Sequence, residues 1–199
     1  MKILILIIST IFILFLILQS FTIMSTQKTE LQKYSVVHSE EEFEIRFYPA
    51  ATFATIKSEA KTYRELSGPG FRKLAGYIFG GNESETKISM TSPVQMDIND
   101  TISEMSFVMP SGYNSDNLPK PNDSQVIIHK TQDEYVAALR FSGFSSDNAI
   151  LHHSEKLKAL LDLKGIVYTG NFRFLGYNPP WQLVGRRNEI IVSVKWENK

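Results

Sequence analysis

The sequence of 199 residues predicts an α+β fold, in which an eight-stranded antiparallel sheet curls into a distorted barrel with two flanking helices. Two observations support this prediction. Segments in which apolar and polar residues alternate, the pattern of half-buried strands, recur beyond an apolar N-terminal segment. The order strand, strand, helix, strand, strand also occurs twice, and neither half alone could bury both its sheet face and its helix. The two halves are therefore expected to share one core with pseudo-twofold symmetry.

The first half begins with a strand pair. Phe43, Ile45 and Phe47 alternate with polar or amphipathic residues until Pro49, and residues 51–57 supply the antiparallel partner. From Thr62 the period changes to that of a helix. Its apolar stripe is Phe71, Leu74, Ala75 and Ile78, and residues 80–82 (GGN) end it. The change of period indicates a helix from Thr62, and a start only after Gly68-Pro69-Gly70 stays open.

Residues 87–98 (KISMTSPVQMDI) keep a period of two over their whole length, which predicts one strand with one buried row. That row is Ile88, Met90, Ser92, Val94, Met96 and Ile98. A further strand, MSFVMP, places Met105, Phe107 and Met109 on one face. Methionine is usually adaptable packing, so the row is interpreted as barrel interior, with Met90 near its open end.

The second half repeats this order after a loop at residues 111–123, which is rich in Asn, Asp and Pro. An amphipathic helix is predicted from Asp147 to Lys164, with Gly165 as its C-cap. The predicted strands are residues 125–130, 135–141, 171–177 and 189–196.

Composition excludes several function classes. The 21 basic and 21 acidic residues balance and form no basic block, so no nucleic-acid partner is expected. Since there is no cysteine, disulfides, thiolate zinc sites, iron–sulfur clusters and covalent c-type haem attachment are excluded. No catalytic motif such as G-x-S-x-G or H-E-x-x-H is present, and the protein is interpreted as a non-enzyme.

Residues 3–24 are apolar and uncharged, and as a helix they reach roughly 30 Å, the thickness of a bilayer core. We therefore expect an uncleaved single-pass membrane anchor at residues 1–24, a polar tether at 25–33 and one folded domain at 34–199. A signal peptide cleaved near Ser20 or Ser25, giving a secreted or periplasmic protein, stays open, as does a start at Met24. The flanking lysines do not decide the orientation.

Residues 176–192 (GYNPPWQLVGRRNEIIV) form the least ordinary motif. Pro179 and Pro180 remove two amide donors, so a strand ladder must end there. In one interpretation Trp181 is an aromatic wall and Arg186 and Arg187 are carboxylate clamps of a ligand groove. The interpretation favoured by this stretch alone is a rigid corner whose charges pair among themselves.

Four motifs in order, FRKLAGYIFGGN, KISMTSPVQM, FVMPSGYNSDNLPKPND and YNPPWQLVGRRNE, resemble the SOUL haem-binding protein family over nearly all of residues 34–196. The resemblance implies the pseudo-twofold barrel that this family shares with gyrase-inhibitor-like domains. It also implies non-covalent binding of haem b or a related tetrapyrrole in a shallow groove beside the first helix of the domain. The candidate cofactor-binding residues are then Tyr63, Arg64, Phe71, Arg72, Met90 and Trp181.

The family pattern is incomplete here. Phe47 stands where some members have a strand histidine proposed as an iron ligand, and Gly68 and Gly76 align with basic residues credited with holding propionates. The four histidines include no i,i+4 pair, and adjacent His152 and His153 point about 100° apart on a helix, so no metal site is predicted. The first hypothesis is a membrane-tethered haem carrier, buffer or sensor. The alternative is a protein-interaction or small effector-binding module that no longer binds haem.

Overall fold

The computed structural model describes residues 2–197. Its helices are α1 (Lys2–Gln27), α2 (Tyr63–Ile78) and α3 (Asp147–Lys164). Its strands are β1 (Glu30–Leu31), β2 (Ser35–Ser39), β3 (Glu44–Tyr48), β4 (Thr52–Ser58), β5 (Thr91–Ser92), β6 (Val94–Asp97), β7 (Ser103–Val108), β8 (Ile127–Lys130), β9 (Glu134–Phe141), β10 (Tyr168–Gly176) and β11 (Asn188–Val194).

Nine strands form one strongly curled antiparallel sheet, a half-barrel, in the order β2-β3-β9-β11-β10-β6-β7-β4-β8. The predicted pseudo-twofold relation is visible in this order. Read outward from the central β10–β6 pair, one side is β10-β11-β9-β3 and the other is β6-β7-β4-β8. The first strand of each half crosses to the other half, because β3 pairs with β9 and β8 pairs with β4. The two halves are thereby interlocked around a shared core.

The helices cover one face of the sheet, α2 against β4 and β7 and α3 against β9, β10 and β11. The inner core between them is built from one row of each strand and the helix stripes that include Leu66, Leu74, Leu157 and Leu161. The opposite row forms a smaller outer cluster. Its buried members are Tyr48, Val136, Ala138, Leu175, Tyr177 and Ile191, with Tyr34 packed against them.

The structure decides between the two possible starts of α2 in favour of the earlier one. Thr62 has an extended backbone and its side chain accepts a hydrogen bond from the Glu65 amide, so the helix begins at Tyr63. Pro69 lies inside the helix on its exposed side, where water can solvate the carbonyl that loses its donor. The predicted bounds of α3 are confirmed: Ser146 caps its start, and Gly165 caps its end at a φ of 65°.

The structure contradicts the prediction of one continuous strand over residues 87–98. This segment is divided into β5 and β6, on either side of Pro93, which has no amide to extend the ladder. Ile88 and Met96 are buried and Met90 is half-buried, as the predicted row requires. Thr91 of the opposite row is also buried, because β5 pairs in parallel with β1 and covers that side.

The segment before residue 34 contains more structure than the expected tether. α1 continues to Gln27, and β1 follows within three residues. β2, an edge strand paired with β3, was not predicted, since the alternation in Ser35–Ser39 is weak and most of its side chains are exposed. With β2 the curled sheet has nine strands where the sequence predicted eight.

Candidate functional site

One side of α2 carries Arg64, Gly68, Arg72 and Gly76 at successive i,i+4 positions, all exposed. A Cβ atom at Gly76 would meet nothing within 4 Å, and one at Gly68 would meet only the Arg72 guanidinium at 4.0 Å. We call these residues the glycine face. It is an open strip of main chain, and the Cα atoms of its two arginines lie about 12 Å apart along the helix axis.

Two aromatic candidates lie on the same helix. Phe71 was expected in the buried stripe but is 39% exposed, with its ring 5.3 Å from that of buried Phe107. The half-buried Tyr63 packs edge-on against Phe174 at 5.5 Å, and its amide donates to Asp147 at the start of α3. These rings therefore lie at the margin of the inner core, beside the glycine face.

The last two candidates lie on other segments. Met90 precedes β5 and packs, half-buried, against the inner core. Trp181 is 66% exposed in the corner between β10 and β11. Its carbonyl accepts a hydrogen bond from the Gln19 side chain of α1. The structure thus gathers Tyr63, Arg64, Phe71 and Arg72 on α2 and attaches Trp181 to the N-terminal helix.

A cavity of about 490 Å³ lies elsewhere, where the end of β9 extends beyond β3. It is lined by none of the candidate residues. Its lining includes Glu42, Arg46, His153, Arg187 and Glu189. No sequence pattern predicts this cavity, because residues far apart in the chain form its walls.

Beneath that cavity lies a buried ion-pair network. The Arg46 guanidinium donates to Glu189 at 2.7 and 3.2 Å, and Arg187 donates to the same carboxylate at 2.7 and 2.9 Å. The Tyr177 hydroxyl donates to Glu189 at 2.9 Å. The Arg46 guanidinium also lies 4.3 Å from the centre of the Tyr34 ring. The carboxylate is thus fully surrounded by donors.

Burial disfavours charge in this network, but the partners outweigh it. Burial acts to raise the pKa of Glu189, whereas hydrogen bonds and charge from Arg46 and Arg187 lower it, and the net shift is downward. For Arg46 burial acts to lower the pKa, and Glu189 turns the net shift upward. Burial, followed by the Glu189 charge, raises the pKa of Tyr177. All of these groups keep their usual charge, which fits a structural role.

The motif at residues 176–192 is bonded internally, as in the rigid-corner interpretation, although Arg186 bonds to carbonyls where that interpretation expects a charge. One guanidinium nitrogen of Arg186 donates to the carbonyls of Pro179 and Gln182, at 2.8 and 2.7 Å. The Arg187 main-chain amide donates to the Asn178 side chain, and the Arg187 guanidinium donates to the Glu189 carboxylate. Neither arginine is aimed at an external carboxylate.

Iron ligation has little support among the described residues. Phe47 packs its ring 5.2 Å from Tyr135. His153 stacks on Phe141 at 4.0 Å, and burial lowers its pKa. The described part of the chain contains no group of three or more His, Cys, Asp or Glu side chains arranged to hold a metal.

A family model described as "SOUL heme-binding protein" matches residues 29–193. Heme-binding protein 2 of Mus musculus is 32% identical over 163 residues, covering 78% of this chain and 79% of that protein. Heme-binding protein 1 of Xenopus laevis is 29% identical over 155 residues, covering 74% and 81% respectively.

Solved structures match at the level of fold. The EcmrR C-terminal domain superposes with a TM-score of 0.57 at 11% identity, covering 82% of this chain and 99% of that domain. A hydrolase from Listeria innocua superposes with a TM-score of 0.53 at 10% identity, covering 78% and 93% respectively. At these identities the likeness shows a common fold and nothing about ligands.

Proposed function

Because the chain belongs to the SOUL haem-binding protein family, we propose that it binds haem b or a related tetrapyrrole non-covalently. In this proposal the protein is a membrane-tethered carrier, buffer or sensor. The matched relatives are named for haem binding, which favours a binding function over catalysis. No nucleic acid is involved in the proposed function.

The observation that carries the proposal is the glycine face. A planar macrocycle needs a flat surface, and the absence of side chains at Gly68 and Gly76 leaves one along α2. Haem propionates need cations, and Arg64 and Arg72 are exposed at suitable positions on the same side. The exposed edge of Phe71 offers an aromatic contact. These residues fit the ligand, although the basic residues of other members are replaced by glycine.

When bound, haem would supply a redox-active iron, and this chain offers it no obvious histidine from α2 or β3. The thioether of half-buried Met90 is the proposed weak contact. The chain's own contribution is then to hold the macrocycle by its face and its propionates. Such binding suits transfer or buffering, because a ligand without a strong axial bond leaves readily.

Haemin titration of the full chain in detergent micelles tests the proposal. We expect saturable one-to-one binding with a Soret band distinct from that of haemin in empty micelles. Arg72→Glu should weaken binding, whereas Lys73→Glu should not, since Lys73 instead contacts Gln125. Met90→Leu should shift the Soret band if the thioether meets the iron. Superimposable spectra with and without protein would remove the haem proposal.

The membrane tether rests on α1. This helix has 26 residues, and its most apolar stretch of 18 residues has a mean hydropathy of 2.8. None of the 26 residues is buried. This length and composition suit an anchor and suit a signal sequence equally well. Alkaline carbonate extraction of host membranes, with N-terminal sequencing of the recovered protein, separates the two. Retention of residues 1–24 in the membrane pellet supports the anchor.

A second candidate function is a protein-interaction or small effector-binding module. The specific observation is Phe47, which packs against Tyr135 and leaves no iron ligand at that place on β3. Purification of the full chain from its host then yields a stoichiometric protein partner or a different small molecule, without a tetrapyrrole absorption band.

A further inference from the structure

We propose that the corner at residues 178–186 rests in the headgroup region of the bilayer that holds α1, so that the domain lies with this corner against the lipid. The proposal rests on the membrane tether proposed above. Its starting point is a contact between distant parts of the chain, the apolar N-terminal helix and the loop that joins β10 to β11.

Two side chains of α1 form hydrogen bonds with the corner. Gln19 uses both ends of its amide: the nitrogen donates to the Trp181 carbonyl at 3.1 Å, and the oxygen accepts from the Leu183 amide at 2.9 Å. Near the end of the helix, Thr26 donates to the Gln182 side chain at 2.9 Å. The corner therefore lies along the last third of the apolar helix and not beyond its end.

The depth follows from helix geometry. Gln19 lies five residues before the end of the apolar stretch at Met24, which is about 7 Å along the helix axis. If residues 3–24 span the hydrocarbon core, Gln19 lies near its edge, so a loop bound at Gln19 must reach the boundary between the core and the headgroups. Gln19 itself would be costly in lipid, and its pairing with the corner satisfies it.

The corner exposes apolar side chains where lipid would meet them. Trp181 is 66% exposed, Leu183 45% and Val184 61%. Phe144, from the connection before α3, adds a ring that is 58% exposed and lies 4.8 Å from the Arg186 guanidinium. Tryptophan is enriched at membrane–water interfaces because its ring is apolar and its N–H is polar. We call these residues the corner patch.

Several main-chain groups of the corner are also paired within the corner itself. Pro179 and Pro180 have no amide hydrogen, and the Pro179 carbonyl accepts from both Gln182 and Arg186. The Gln182 carbonyl accepts from Arg186, and the Gln182 side chain donates to the Val184 carbonyl. This internal pairing lowers the cost of moving the loop from bulk water to the edge of the hydrocarbon core.

Depth-dependent fluorescence quenching of the full chain in phosphatidylcholine–phosphatidylglycerol vesicles tests the proposal. Trp196→Phe leaves Trp181 as the only tryptophan, and the vesicles carry spin labels either at the headgroup or deep in the acyl chain. We expect a blue-shifted Trp181 emission, with stronger quenching by the headgroup label than by the deep label. The converse variant, Trp181→Phe, leaves Trp196, two residues beyond the far end of β11, and should not be quenched by either label.

Gln19→Leu is a sharper test, because it removes the two hydrogen bonds from Gln19 to the corner, leaves that of Thr26, and keeps α1 apolar. Quenching of Trp181 should fall. Ser9→Leu is the matched control, since the Ser9 hydroxyl donates to the Leu6 carbonyl of its own helix. Quenching in that variant should be unchanged.

Flotation of the vesicles separates the two proposals. If the protein floats with the vesicles but Trp181 emits as it would in water and resists the headgroup label, the corner proposal fails and the anchor stands. If the protein does not float, both fail. A Trp181 that is shielded from both labels because a second copy or another protein covers it also overturns the corner proposal.

Discussion

Arg46 on β3 and Glu189 on β11 form a bidentate ion pair across the intervening strand β9, although the two residues are 143 positions apart in the sequence. The side chain of Glu189 is fully buried and that of Arg46 is 4% exposed. The pair therefore joins the first strand of one half to the last strand of the other. It depends on the strand crossover that interlocks the two halves.

Removing the charge of Glu189 should destabilise the fold strongly. Glu189→Gln removes the buried counterion of Arg46 and leaves it only the partly exposed Glu44, so we expect a loss of about 3 to 5 kcal/mol in the free energy of unfolding. Chemical denaturation of the full chain in detergent, followed by circular dichroism, measures it. Lys57→Met is the control: it breaks the exposed pair with Glu104 and should cost only about 0 to 1 kcal/mol. Equal losses in the two variants would contradict the structural role of the network.

The Glu189 carboxylate should also make the free energy of unfolding depend on pH in the acidic range. Its pKa is lowered in the folded protein from an ordinary value of 4.5, so the folded state binds fewer protons than the unfolded state. Its contribution is fully present above about pH 4.5 and is lost as the pH falls through the folded pKa. The free energy of unfolding measured below pH 4.5 should therefore fall more steeply in the native chain than in Glu189→Gln. Parallel profiles would show that the carboxylate is not the titrating group.

The titration of His153 should make the free energy of unfolding depend on pH near neutrality as well, but more weakly. Burial, followed by the nearby charges of His152 and Lys156, lowers its pKa below 6.5, so unfolding takes up a proton. The stabilisation is present above about pH 6.5 and is lost as the pH falls through the folded value. His153→Gln should flatten the unfolding profile in this window. His152→Gln should leave most of the slope, because His152 is exposed and burial is the larger cause.

Alanine substitutions at two glycines near the end of α2 should change the stability of the fold in opposite directions. A Cβ atom at Gly76 meets nothing within 4 Å, so Gly76→Ala should stabilise the helix by about 1 kcal/mol. A Cβ atom at Gly81 would lie 2.6 Å from the Gly76 carbonyl oxygen, so Gly81→Ala should destabilise by at least about 1 kcal/mol. Thermal unfolding of both variants checks the signs.

The glycine face predicts the effect of charge on ligand affinity. Arg64→Ala and Arg72→Ala should each weaken haemin binding about two- to fivefold, a typical loss for an exposed ion pair, and more salt should weaken the native affinity. Gly76→Trp should weaken it further by filling the flat surface. Isothermal titration or absorbance titration measures the affinities. Unchanged binding in Gly76→Trp, with a folded protein, would mean that the ligand lies elsewhere.

The sequence predicted most of the fold because local patterns carry that information. Alternation identified eight strands of the sheet, and the Gly165 cap made the end of α3 predictable. The repeated order of elements indicated the pseudo-twofold arrangement. The sequence leaves the start of α2 open because Pro69 is a helix breaker by propensity, whereas the Thr62 cap and the exposed position of Pro69 allow it to begin at Tyr63.

The candidate site was predicted only in part. Arg64 and Arg72 were named, and their common side of α2 follows from a spacing of eight residues. What the sequence could not provide is the pairing of strand edges, which depends on contacts between distant residues. Tertiary structure alone brought Glu189 to Arg46 and Gln19 to Trp181. The alternating or helical spacing of side chains is a local property of the chain and can be read from the sequence. The contacts of Glu189 with Arg46 and of Gln19 with Trp181 depend on which surfaces meet in the folded chain.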